Sequence, residues 1–239
     1  MSARNNPVPA RESPLLCYVT HRQGLPVANP ADSIEALIRK IAEVAAAGVD
    51  WVQIREKDLP ARELASLTRQ ALRMVAKSSG DSSSAKRVLV NDRLDVAIAE
   101  RASGVHLGEK SLPVTEAKRL IESAVRKQTV DPSFLAGVSC HSIEVAQAAE
   151  RDGADYIFFG PVFTTPSKET FGPPQGIGLL EQVCCAVSIP VLAIGGITLE
   201  TSAGCLAAGA SGIAAIRLFQ GAPDPRHIAD SIRRIAKSR

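Results

Sequence analysis

No stretch of this sequence is long and apolar enough to span a bilayer. The N-terminal MSARNNPVPARESP has no apolar core of the kind a secretory signal needs. No Lys/Arg block stands out: 28 basic residues face 25 acidic ones, a net charge of +3, which argues against a nucleic-acid binder. The five cysteines, Cys17, Cys140, Cys184, Cys185 and Cys205, form no C-x-x-C pair. Each sits in or beside an apolar run, as small buried thiols in a reducing compartment do. No G-x-G-x-x-G follows the first apolar run, so the fingerprint of a dinucleotide-binding open sheet is missing. These absences predict a soluble cytoplasmic protein without membrane contact: a disordered tail over 1–14, then one domain over 15–239.

Present instead is a regular alternation. Hydrophobic residues make up 45% of the chain, enough for a sizeable core. Short apolar runs recur at 15–20, 49–54, 87–91, 103–107, 134–139, 154–159, 189–194 and 211–216. Between them lie segments such as ADSIEALIRKIAEVAAAG, whose apolar positions repeat at i, i+3, i+4 and i+7, one face of a helix. The runs are almost continuously apolar, as parallel strands covered on both faces are. Glycine punctuates the returns to strand (AAGVDWV, RASGVHL, RDGADYI, AAGASGI). Eight such units predict a (β/α)8 TIM barrel, a single α/β domain with one helix per strand. KSSGDSSSAKR (77–87) is expected to be a flexible loop on the face away from the chemistry.

In a barrel of this kind the active site lies at the C-terminal strand ends. Those ends carry Gln53, Arg55 and Lys57 after the second run, Asn91 and Asp92 after the third, and Ser139 and His141 after the fifth. Thr165, Ser167 and Lys168 follow the sixth, Gly195 and Gly196 the seventh, and Ile216 and Arg217 the eighth. Cations beside glycine turns with free backbone N–H groups suit an anionic, phosphorylated small molecule. Asp92 fits two roles at this point, a Mg²⁺ ligand or the cap of the next helix. His141 fits a proton shuttle or a structural helix-start histidine. His106, inside an apolar strand, reads as a core residue.

The segments VQIREK, VNDRLDVA, GVHLGEKSLP, GVSCHS, ADYIFFGPVFTTPSK, IPVLAIGGIT and GASGIAAI together resemble the thiamine phosphate synthase and thiazole tautomerase (TenI) superfamily, over nearly the whole chain. The resemblance implies a (β/α)8 fold. Its synthase branch implies coupling of hydroxymethylpyrimidine diphosphate to a thiazole phosphate, with Mg²⁺ as cofactor. Gln53, Arg55 and Lys57 would then hold the pyrimidine diphosphate, with Asn91 beside it. Asp92 would bind Mg²⁺, and Ser139 and Lys168 would contact the diphosphate. Thr165 and Ser167 would hold the thiazole, and backbone N–H groups at Gly195–Gly196 and Ile216–Arg217 its phosphate.

The family's synthase motif after strand four reads G-Q-x-D, its Asp a second Mg²⁺ ligand. This chain has Gly108-Glu109-Lys110-Ser111, which puts Ser111 at that position. Arg217 stands where a small residue is usual. The tautomerase branch needs no metal and moves a proton with the histidine of G-x-S-x-H-S, here His141. Three readings stay open: the synthase, the tautomerase acting on a carboxythiazole phosphate, and a non-catalytic regulator that binds thiazole or thiamine phosphate. Barrel helices can also bury a homo-oligomer interface, on which the sequence is silent.

Overall fold

Period-two alternation decides what each strand offers to the barrel interior, and the computed structural model, which describes residues 13–78, 86–165 and 173–237, shows that alternation closed into a ring. The strands are β1 (Leu15–Val19), β2 (Trp51–Ile54), β3 (Arg87–Asn91), β4 (Gly104–Leu107), β5 (Leu135–Cys140), β6 (Tyr156–Phe159), β7 (Val191–Ile194) and β8 (Gly212–Ala215). They pair in parallel in chain order, and β1 also pairs with β8, which closes the barrel. Each element follows its predicted run to within a few residues.

The helices are α1 (Ser33–Ala46), α2 (Ala61–Lys77), α3 (Leu94–Ala99), α4 (Val114–Arg126), α5 (Ile143–Arg151), α6 (Gly176–Ala186), α7 (Leu199–Ala207), α8 (Arg217–Gln220) and α9 (Pro225–Lys237). In α1 the buried residues Leu37, Ile41, Val44 and Ala45 fall on one stripe, the predicted core face. The one-helix-per-strand expectation departs after β8, where Gly221, Pro223 and Pro225 divide the last segment into a single turn and a longer helix. No helix among the described residues is long and apolar enough to cross a membrane. The predicted tail and the serine-rich loop fall mostly outside the described residues, which begin at 13 and omit 79–85. Ser167 and Lys168 also lie outside them.

Two apolar layers result. One lies between strands and helices. The other fills the barrel with Leu15, Cys17, Trp51, Leu89, Leu135, Tyr156, Phe158 and Leu192. Tyr156 fits because its register partner on β5 is Gly137: a Cβ there would collide with the phenol ring. At the N-terminal strand ends, buried carboxylates lock helices to the sheet. Asp155 accepts both from Lys118 of α4 at 2.7 Å and from the Ala136 N–H at 2.6 Å. Asp50 accepts from the Leu16 N–H at 2.9 Å and from Arg233 of α9 at 3.2 Å.

Candidate active site

At the other end of the strands, the same parity that points Trp51, Leu89 and Leu135 inward points Gln53 and Asn91 inward two residues on, and Ser139 four residues on, past Gly137. They open onto a cavity of about 830 Å³. Every predicted site residue that is described lines it: Gln53, Arg55, Lys57, Asn91, Asp92, Ser139, His141, Thr165, Gly195, Gly196, Ile216 and Arg217. Val19, Phe158 and Ile194 give it an apolar floor.

One wall is a hydrogen-bonded row. Gln53 Nε2 donates to Asn91 Oδ1 at 2.8 Å, and Asn91 Nδ2 donates to Asp92 Oδ2 at 2.7 Å. Asp92 Oδ1 accepts from the Gly108 N–H at 2.9 Å and from the Ser111 hydroxyl. Burial pushes the Asp92 carboxyl upward, but the Ser111 hydroxyl, the Gly108 N–H and the nearby Lys57 charge outweigh it and hold the group below its usual range. Asp92 is therefore an anion at neutral pH. A carboxylate only accepts, so Asn91 must turn its NH₂ toward Asp92, and Gln53 must turn its own toward Asn91. Gln53 Oε1 is left over, in a residue only 2% exposed, with no partner among the described residues.

Asp92 does not cap α3. The cap position is Arg93, without a side-chain cap bond. Asp92 takes φ = 61°, a left-handed conformation that costs a non-glycine residue about 1–3 kcal/mol and is tolerated best by Asp and Asn. Of the two roles open to it in the sequence, capping is the one its geometry does not serve, and its side chain lines the cavity instead.

Arg55 and Lys57 alternate with Glu56, which turns the other way. The Thr20 hydroxyl donates to Glu56 at 2.7 Å, and Arg22 pairs with both Glu56 and Asp58. Among the described residues, Arg55 and Lys57 take part in no close ion pair, although the Lys57 charge acts on Asp92 from a distance. Across the mouth, Gly195 and Gly196 take φ of 99° and 66°, where a β-carbon would strike Pro161, Phe163 and Thr164. Arg217 Nη2 reaches Thr165 Oγ1 at 3.3 Å and spans the loops after β6 and β8.

His141 Nδ1 donates to the Gly160 carbonyl, which leaves Nε2 as the nitrogen able to take or give a proton. Cys140 beside it is fully buried, and that burial pushes its thiol up to about 12, so it serves as packing. Sequence reading missed His106 as a cavity residue. It is 1% exposed, as a core residue should be, yet it lines the floor and its Nε2 lies 3.0 Å from Ser139 Oγ. No local signal marked it, because both of its side-chain partners are distant in sequence.

Residues 25–219 match the TMP-TENI family model, described as thiamine monophosphate synthase. A thiamine-phosphate synthase of Roseiflexus castenholzii is 38% identical over 225 residues, 94% of this chain and 89% of that one. One from Methanoculleus marisnigri is 43% identical over 196 residues, 82% and 86%. The solved thiamine phosphate pyrophosphorylase from Pyrococcus furiosus superposes with a TM-score of 0.74 at 29% identity, covering 94% of this chain and 96% of that one.

Proposed function

This chain belongs to the thiamine monophosphate synthase (TMP-TENI) family, and from that premise we propose that its cavity couples hydroxymethylpyrimidine diphosphate to a thiazole phosphate, releasing diphosphate. The observation that carries this reading is the orphaned Gln53 Oε1 in a cavity that Arg55 and Lys57 also line, neither of them in a close ion pair among the described residues. A buried acceptor without a donor costs about 1–3 kcal/mol, and the amino group of an aminopyrimidine supplies the missing N–H. Arg55 and Lys57 then meet the diphosphate on the same substrate.

In the reaction the bond from the pyrimidine methylene to the diphosphate oxygen breaks, and its electron pair leaves with the diphosphate. The thiazole nitrogen then gives its lone pair to the methylene carbon. Arg55, Lys57 and Ser139, set around the cavity before the reaction starts, stabilise the charge that grows on the leaving group, and Lys168 would add its own charge to them. Thr165 and Ser167 hold the thiazole, while N–H groups at Gly195, Gly196, Ile216 and Arg217 hold its phosphate. The apolar floor of Val19, Phe158 and Ile194 keeps water from the electron-poor carbon.

The donor set fits Mg²⁺. Asp92 is ionised and Glu109 lines the same cavity, while no cluster of three or more His, Cys, Asp or Glu among the described residues forms a protein cage. Mg²⁺ is commonly held by one or two carboxylates together with substrate phosphates. Asp92 would hold it here, with Glu109 the nearer substitute for the carboxylate that Ser111 lacks. When bound, Mg²⁺ supplies further positive charge against the leaving diphosphate.

The test is to incubate purified protein with both substrates and Mg²⁺ and assay for thiamine phosphate. Product that disappears with EDTA is the expected result. Absence of product while thiazole phosphate still binds would overturn it.

The fixed His141 tautomer favours a second reading, metal-independent aromatisation of a carboxythiazole phosphate with Nε2 as proton shuttle. That activity should survive EDTA and be lost in His141→Ala. Turnover by either route removes the non-catalytic regulator.

A further inference from the structure

Beneath the cavity runs a side-chain relay that the mechanism above leaves unexplained: Tyr156, His106 and Ser139. Tyr156 OH lies 3.2 Å from His106 Nδ1, and His106 Nε2 lies 3.0 Å from Ser139 Oγ. The His106 ring packs on Phe158 with centroids 4.2 Å apart, which fixes its plane. Tyr156 is fully buried, wedged over Gly137 and edge-on to Trp51.

The proton positions follow from what each group can do. Burial holds the Tyr156 phenol well above its usual range, so its hydroxyl keeps its proton. Its hydrogen-bond partner among the described residues is His106 Nδ1. Leaving that buried hydroxyl proton without an acceptor costs free energy, so Nδ1 accepts and carries no hydrogen. A neutral imidazole then has its proton on Nε2, which donates to Ser139 Oγ. With its oxygen accepting from below, Ser139 has its own hydroxyl proton left to give upward, into the cavity it lines.

We propose that Tyr156 and His106 are positioning residues that hold Ser139 as a hydrogen-bond donor to the diphosphate. The identity of that anion rests on the synthase reading; the tautomer does not. Without Tyr156 the imidazole is free to carry its proton on Nδ1, and Ser139 then spends its proton on Nε2 and faces the substrate as an acceptor. An acceptor opposed to a phosphate oxygen is repulsive.

Two measurements test this. Long-range ¹H–¹⁵N correlation on ¹⁵N-histidine-labelled protein at neutral pH should show His106 protonated on Nε2 alone, and Tyr156→Phe should populate the Nδ1–H form. Phe keeps the ring that fills the slot over Gly137. Binding of inorganic diphosphate with Mg²⁺, followed by calorimetry, should weaken about 10-fold in Tyr156→Phe and in Ser139→Ala. The double variant should lose no more than either alone, because one donor is removed each time. Thiazole phosphate affinity should stay unchanged, which a merely structural loss would not allow. An Nδ1–H or doubly protonated His106 in the unaltered protein would overturn the proposal, as would additive losses or an unweakened Tyr156→Phe. Failure to form thiamine phosphate would instead strike the synthase reading and leave the tautomer result standing.

Discussion

Gln53 Nε2 donates to Asn91 Oδ1 at 2.8 Å, and this contact decides which atom Gln53 shows to the cavity. Gln53→Met keeps the volume and removes the acceptor. We expect kcat/KM for the pyrimidine diphosphate to fall roughly 10–100-fold, the kinetic equivalent of about 1–3 kcal/mol, with KM for thiazole phosphate unchanged. An equal loss toward both substrates would take Gln53 out of the pyrimidine contact.

Asp92→Asn is the sharper test of the metal, because Asn tolerates the left-handed backbone at that position and keeps one acceptor for Gly108 and Ser111, while the charge and the second acceptor, toward Asn91, are lost. Steady-state rates over a Mg²⁺ titration should fall about 10²–10⁴-fold. His141→Ala should cost the coupling reaction far less. Should His141→Ala be the more damaged of the two, the tautomerase reading takes precedence.

The Ser111 hydroxyl helps keep Asp92 ionised. A carboxyl whose folded pKa is lowered contributes stability above its unfolded value, and that contribution fades as pH falls through the lowered one. Ser111→Ala removes one stabilising donor, so Asp92 should take up its proton at higher pH. The acid limb of the kcat/KM profile should move upward in this variant. A limb that stays in place would mean that Gly108 and Lys57 suffice.

Asp155→Ala addresses the opposite face of the barrel. It strips Lys118 and the Ala136 N–H of their partner beside a carboxylate whose side chain is 7% exposed. Urea denaturation should show a loss of roughly 3 kcal/mol, the lower end of what breaking a buried pair costs, because Lys118 keeps partial access to water. Turnover of the folded fraction should be untouched.

The strand positions were legible because parallel strands covered on both faces leave nearly unbroken apolar runs, and the rim residues were legible because they end those runs. What escaped notice was set by contacts distant in sequence. Asp92 looked equally suited to capping until Gly108 and Ser111, on the next strand's loop, were seen to hold it. His106 looked like core because it is core; its second face appears only when Ser139 and Tyr156 are brought to either side. Nor could the sequence say that Glu56, between two cavity-facing cations, turns away to bind Thr20 and Arg22. Ser167 and Lys168 lie outside the described residues, and the roles proposed for them rest on the family pattern.

The glycine under Tyr156 has a historical consequence. Positions 137 and 156 sit opposite one another with no room to spare, so an aromatic ring at 156 requires glycine at 137: a side chain gained at 137 evicts the phenol, and a phenol gained opposite an alanine has nowhere to lie. Wherever the ring is inherited, the glycine should be inherited with it. A lineage that exchanges the pair would give up the hydroxyl at the base of the His106 relay in the same event.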